Sequence, residues 1–127
     1  MTRRIIDKRD YNRRGILYLP EHVNTLKMHV NETLEHWIIK AMVFRLLRKM
    51  KHEVVTEFEI TGMGVGDIFD LTASVQYEIE TTSYPKYIHD RAKQYIRIGV
   101  DVIVIPIGKL PENIKEREKA LKEYVLE

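Results

Sequence analysis

The spacing of apolar and polar positions changes period several times along this chain. Gly15-Ile16-Leu17-Tyr18-Leu19-Pro20 is a short apolar run closed by proline, which predicts a brief strand. From about Glu21 to Met50 the period becomes helical, with Asn24 or Asn31 as the expected cap and Glu32 and Glu35 near the positive end of the helix dipole. Between Leu34 and Met50 the apolar residues Leu34, Trp37, Ile38, Ile39, Ala41, Met42, Val43, Phe44, Leu46, Leu47 and Met50 cover most of the circumference. Such girth predicts a helix buried on several sides, under a sheet and against a second subunit. One polar stripe interrupts it: Glu32, His36 and Lys40 follow one another at four-residue steps and share a face, with Glu35 one step around. Polar groups kept on such a helix need partners or line a cleft.

Further on the period shortens to two. His52–Ile60 is rich in β-branched residues, Thr61–Gly66 reads as a glycine-spaced turn, and Asp67–Leu71 with Val75–Thr81 reads as a hairpin. A helix is predicted over 85–98, stopped by Gly99. Val100–Pro106 is almost unbroken β-branched sequence, as in a parallel strand buried on both faces. Residues 112–127 predict a final amphipathic helix. The expected order is β-α-β-β-β-α-β-α, an α/β domain with a mixed central sheet flanked by helices.

Composition bounds this picture. The 127 residues, 15.1 kDa, suit one core, so 1–127 is expected to be a single domain. Cysteine is absent, which excludes disulfides and thiolate metal sites. No apolar run is long enough for a spanning helix, and no apolar segment follows the charged N-terminus, so the expectation is a cytoplasmic protein with no membrane partner. Glutamine is scarce beside abundant Glu, Lys, Arg, Ile and Val, a balance that leans towards a thermophile.

The net charge of +2 argues against a strongly basic nucleic-acid binder, but it hides an asymmetry. Residues 1–20 hold six bases against two acids, a net +4, while residues 21–106 hold ten bases against twelve acids. A basic arm over 1–14 is thus joined to a mildly acidic body, and such an arm can neutralise phosphates.

The chemistry gathers in the hairpin, where Asp67, Asp70, Glu78 and Glu80 lie in segments that otherwise favour apolar residues. Glu78 and Glu80 are two apart and point to one face. A four-residue turn, Thr72–Val75, sets Leu71 opposite Gln76, Phe69 opposite Glu78 and Asp67 opposite Glu80, with Asp67 on that face and Asp70 on the other; an odd turn brings Asp70 opposite Glu78 instead. The even turn is favoured. Like charges facing one another are destabilising and call for a cation, either a nearby Lys or Arg or a metal. Carboxylates suit Mg²⁺ or Mn²⁺, which bind one or two of them beside water and phosphate oxygens.

This ordered set resembles the PD-(D/E)xK nuclease superfamily, which has a restriction-endonuclease-like fold. The residues that carry the resemblance span about 31–106: His36 and Lys40 on the first helix, Lys51–Glu57, Gly66-Asp67-Ile68, Tyr77-Glu78-Ile79-Glu80-Thr81-Thr82, Lys93-Gln94-Tyr95 and Gly99–Ile105. The resemblance implies a metal held by Asp67 and Glu78, an acid from the first helix (Glu35 or Glu32), and Lys93 or Gln94 from the second. It departs at Glu80, which stands at the family's lysine position. A Glu there can serve as a base or a second metal ligand, a lysine such as Lys40 or Lys93 can substitute, or activity can be lost.

His22, His29 and His36 recur every seven residues, too far apart on a helix to share one metal. Trp37 and the tyrosines fit a core better than a base-stacking platform, and Gly62, Gly64 and Gly66 do not lead from a strand into a helix as a dinucleotide cradle does. The expected function is a Mg²⁺- or Mn²⁺-dependent endonuclease acting on DNA, branched or single-stranded forms included. Asp67 and Glu78 bind the metal, and Glu80, Glu35 and Lys93 assist. Arg3, Arg4, Arg13, Arg14, Lys40 and Gln94 contact the substrate, and the chain is a homodimer. The alternatives are a non-catalytic DNA- or protein-binding dimer on the same fold, or a structural dimer whose acidic face is bridged by Lys or Arg.

Overall fold

The computed structural model describes residues 17–18, 23–28, 30–60, 64–80 and 100–125. Within them lie β1 (Leu17–Tyr18), α1 (Leu34–Lys49), β2 (Val54–Ile60), β3 (Gly64–Asp70), β4 (Val75–Glu80), β5 (Asp101–Pro106), a 3-10 turn at Ile107–Lys109, and α2 (Ile114–Val125). The sheet order is β1-β2-β3-β4-β5. The first three pairings are antiparallel, and β4 pairs with β5 in parallel. β1 is a two-residue edge strand, so the body of the sheet is four-stranded and mixed, with α1 and α2 as its helices. The predicted 85–98 helix, including Lys93 and Gln94, and the 1–14 arm with Arg3, Arg4, Arg13 and Arg14 lie outside the described residues.

Register assigns the faces. Val55, Phe69, Gln76 and Val102 form one row across the sheet, and Thr56, Ile68, Tyr77 and Ile103 form the next. Because side chains alternate, the two rows face opposite ways. The core joins Val54, Ile68, Tyr77, Ile79 and Ile105 of the sheet to Ile39, Val43, Leu46 and Leu47 of α1 and to Leu121 and Val125 of α2. Each of these side chains adds about 1.5–3 kcal/mol by leaving water.

Several expectations are corrected. The cap of α1 is Thr33, whose hydroxyl accepts from the His36 backbone N–H, and neither asparagine fills that place. Asn24 instead accepts from the Val54 N–H through its side chain and donates its own N–H to the Val54 carbonyl. α1 buries a stripe of Ile39, Lys40, Val43, Leu46 and Leu47, and Leu34 is 73% exposed, so its burial is one-sided. α1 closes on Lys51 with φ 62, the left-handed residue of a Schellman motif: Lys51 N–H donates to the Arg48 carbonyl and His52 N–H to Leu47. β5 is half-buried over Val102–Val104, with Ile105 its fully covered residue.

The glycine segment also differs from expectation. Gly64–Gly66 belongs to β3, because the Phe58 ring lies over position 66, where a Cβ would come within 2.3 Å of its Cζ atom. The β3–β4 turn is Leu71–Ser74, with Asp70 opposite Val75. It keeps the expected even length but begins one residue earlier, so Gln76 stands opposite Phe69 where Leu71 was expected.

Candidate functional site

The ladder between β3 and β4 runs from Asp70 opposite Val75 to Ile68 opposite Tyr77. The paired residues end there, and Asp67 is the next residue of β3. Its Oδ2 accepts the Ile79 N–H at 2.8 Å, which anchors the carboxylate to the backbone beside Glu78. On the other side of β3, Glu57 has φ 53, a left-handed conformation inside a strand. That irregularity breaks the alternation of β2. Glu57 turns to Lys40 of α1, while the next residue, Phe58, packs edge-on against Phe69 on the opposite face with ring centroids 5.5 Å apart.

The polar stripe of α1 lands on this irregularity. Lys40 is wholly buried and its Nζ donates to Glu32 at 2.9 Å and to Glu57 at 2.8 Å. His36 lies between two carboxylates: Nδ1 is 2.5 Å from Glu32 Oε1 and Nε2 is 3.2 Å from Asp67 Oδ1. The groups therefore run in alternating sign, Glu57–Lys40–Glu32–His36–Asp67. Both ring nitrogens of His36 face acceptors, which requires both to carry protons. Burial pulls the pKa of His36 down, but the hydrogen bond and charge of Asp67, followed by those of Glu32, outweigh it and raise the pKa to about 9. At neutral pH His36 is a fixed cation.

Glu78 lies on the next strand, 4% exposed, and accepts a hydrogen bond from the Gln76 side-chain amide. Gln76 is itself fully buried, and its Oε1 has no hydrogen-bond partner among the described residues. An orphaned buried acceptor costs about 1–3 kcal/mol. Glu80 ends β4, half-buried, opposite Pro106.

The predicted site residues therefore separate. Asp67, Lys40 and the helix acid Glu32 come together through His36. Glu35 lies apart: it is 54% exposed and pairs with Arg117 of α2 at 3.0 Å. Asp70 is buried at the far end of β3, where Oδ2 meets His52 Nδ1 at 2.7 Å and Oδ1 accepts the Ala73 N–H. Sequence reasoning missed Glu57, which no local pattern marks, and Gln76, whose signal was a polar residue at an inward strand position two before Glu78.

Among the described residues, no three His, Asp or Glu side chains group so as to hold a metal by themselves. A magnesium-type ion asks less of the protein, one or two carboxylates completed by water and phosphate oxygens. Asp67 and Glu78 lie on neighbouring strands, and the orphaned Gln76 oxygen belongs to the side chain that donates to Glu78. By residue type these are hard oxygen donors, the kind that an oxygen-seeking divalent cation takes. Among the described residues, no helix is long and apolar enough to cross a membrane. Comparison with protein-family models, curated proteins and solved structures found no match to this chain.

Proposed function

We propose that this chain is a metal-dependent endonuclease acting on DNA, with Asp67 and Glu78 as the residues that hold Mg²⁺ or Mn²⁺. The observation that carries the proposal is the Asp67 carboxylate, held by the Ile79 N–H against the backbone of β4 one residue from Glu78, just past the end of the β3–β4 ladder. Support also comes from the strand order: three antiparallel strands after α1, then a strand parallel to the third. That order agrees with a restriction-endonuclease-like core.

A bound divalent ion polarises a phosphate oxygen and lowers the pKa of a coordinated water. The chain's own groups prepare the rest. The Ile79 N–H and His36 fix the Asp67 carboxylate from two sides, so it needs little reorganisation. Lys40, enclosed between Glu32 and Glu57, does not reach substrate; it locks Glu32, the acid that orients His36. The lysine missing from position 80 is thus not supplied by Lys40, and Glu80 is the proposed base that takes a proton from the attacking water. The basic 1–14 arm and residues Lys93 and Gln94 are the proposed contacts to the DNA backbone, and a homodimer would let two sites span a duplex.

A second reading is a nuclease-fold protein that binds DNA without cutting it. It is favoured by the Asp67 carboxylate being already matched by His36 and the Ile79 N–H. One experiment separates the two. Plasmid, linear and branched DNA are incubated with Mg²⁺ or Mn²⁺ and the wild type, Asp67→Ala or Glu78→Ala. Catalysis is expected in the wild type alone. Equal cleavage by all three proteins, or cleavage without metal, overturns the assignment, while salt-sensitive binding with no cleavage of any substrate establishes the second reading.

A further inference from the structure

Gln76 is an odd choice for its position. In its row across the sheet it stands between Phe69 and Val102, and both are apolar. A buried residue there has no packing need for an amide, and a methionine or leucine would fill the space with no polar group to satisfy. The amide's orientation follows from its neighbour: Glu78 accepts only, so Gln76 must turn its Nε2 to that carboxylate. The carbonyl oxygen is then left buried without a donor.

Hydrogen bonding within the sheet therefore explains half of this side chain and leaves the other half wanting a positive partner. From the orphaned oxygen and its bond to Glu78 we infer that Gln76 Oε1 is a further ligand of the divalent cation, acting with Glu78. The inference rests on the metal site proposed above and extends it to a residue that the E-x-E strand motif does not contain. Neutral amide oxygens are ordinary ligands of hard cations. They add a dipole without adding to the repulsion between Asp67 and Glu78. Because Gln76 is fully buried, an ion must shed water to reach it. Mg²⁺ dehydrates reluctantly, so the site should favour Mn²⁺ over Mg²⁺.

The test is Mn²⁺ binding to the full chain, followed by calorimetry and by the electron paramagnetic resonance signal of free Mn²⁺, in the wild type, Gln76→Met, Gln76→Glu and Asp67→Ala. Gln76→Met is expected to melt no lower than the wild type without metal and to bind Mn²⁺ about tenfold or more weakly. Gln76→Glu, which sets a second charge beside Glu78, is expected to melt lower without metal and to gain more from Mn²⁺ than the wild type does. It keeps the test decisive if the methionine variant fails to fold. Unchanged Mn²⁺ affinity in Gln76→Met overturns the inference, as does a wild type that binds no Mn²⁺. The two claims fail separately. Affinity lost in Asp67→Ala but kept in Gln76→Met, with DNA still cut by the wild type, removes Gln76 and leaves the nuclease. Mn²⁺ held through Gln76 with no DNA cleaved keeps the ligand and removes the nuclease.

Discussion

Two aspartates three residues apart on β3 each meet a histidine, and the two pairs are built for different tasks. At one end Asp70 is enclosed: His52 and the Ala73 N–H take its oxygens, and the β3–β4 turn closes over it. Its contacts tie the start of β2 to the turn after β3. At the other end Asp67 is half-buried where the ladder stops, and its histidine belongs to a string of alternating charges reaching back through α1. The same residue types thus make a staple where the backbone closes the pair, and a poised carboxylate where it does not. Burial of the partners and the position of the ladder's end decide which, not the identity of the pair.

The sharpest way to break this contrast is to cut the string at its centre. Lys40→Met leaves Glu32 and Glu57 facing one another inside the protein. Removing one partner of a buried ion pair costs about 3–5 kcal/mol, so a drop of that size in urea unfolding is expected, and a loss below about 1 kcal/mol would show the string to be ornamental.

Next come the aspartates themselves. Asp70→Ala removes the carboxylate that meets the buried His52 ring and the Ala73 N–H and should destabilise by about 1–3 kcal/mol without changing cleavage by the folded fraction. Asp67→Ala should show the reverse balance, with cleavage abolished and a smaller stability loss. If both variants lose stability and activity in the same proportion, the two ends do not differ in task.

The most gradual effect is the pH response of His36. Its pKa rises on folding from 6.5 to about 9. The unfolded state therefore gives up its proton first as pH rises. The stabilisation is complete below pH 6.5, declines above it, and is gone past about pH 9. His36→Gln should flatten that part of the stability profile, as read by thermal melting across pH 6 to 10. A profile of unchanged slope in His36→Gln assigns the dependence to other groups.

What the sequence made legible follows from how local each signal is. The alternation of Asp67–Leu71 and Val75–Thr81 sets the strands, and the even turn follows, but the expected register of Phe69 opposite Glu78 slips by two residues to Phe69 opposite Gln76. The shared face of Glu32, His36 and Lys40 likewise follows from helical spacing alone. Their partners do not. Glu57 joins them because of a left-handed conformation inside a strand, which its neighbours in sequence do not announce. Thr33 outranked the asparagines as cap because Asn24 was drawn to the edge of β2 by hydrogen bonds across thirty residues. Lys51 ends α1 in a conformation usually given to glycine, so no glycine marked the boundary.

The glycine stretch shows what a contact distant in sequence can do to a local signal. Gly66 is a strand residue because Phe58, from the neighbouring strand, already fills the space above it. Positions 58 and 66 thus share one fixed volume. Any relative of this chain that carries a side chain at 66 should carry a correspondingly smaller one at 58, so the two sites should vary as a sum and not independently. That covariation would locate the irregular end of β3, and the site beside it, in sequences too divergent to align by their acids.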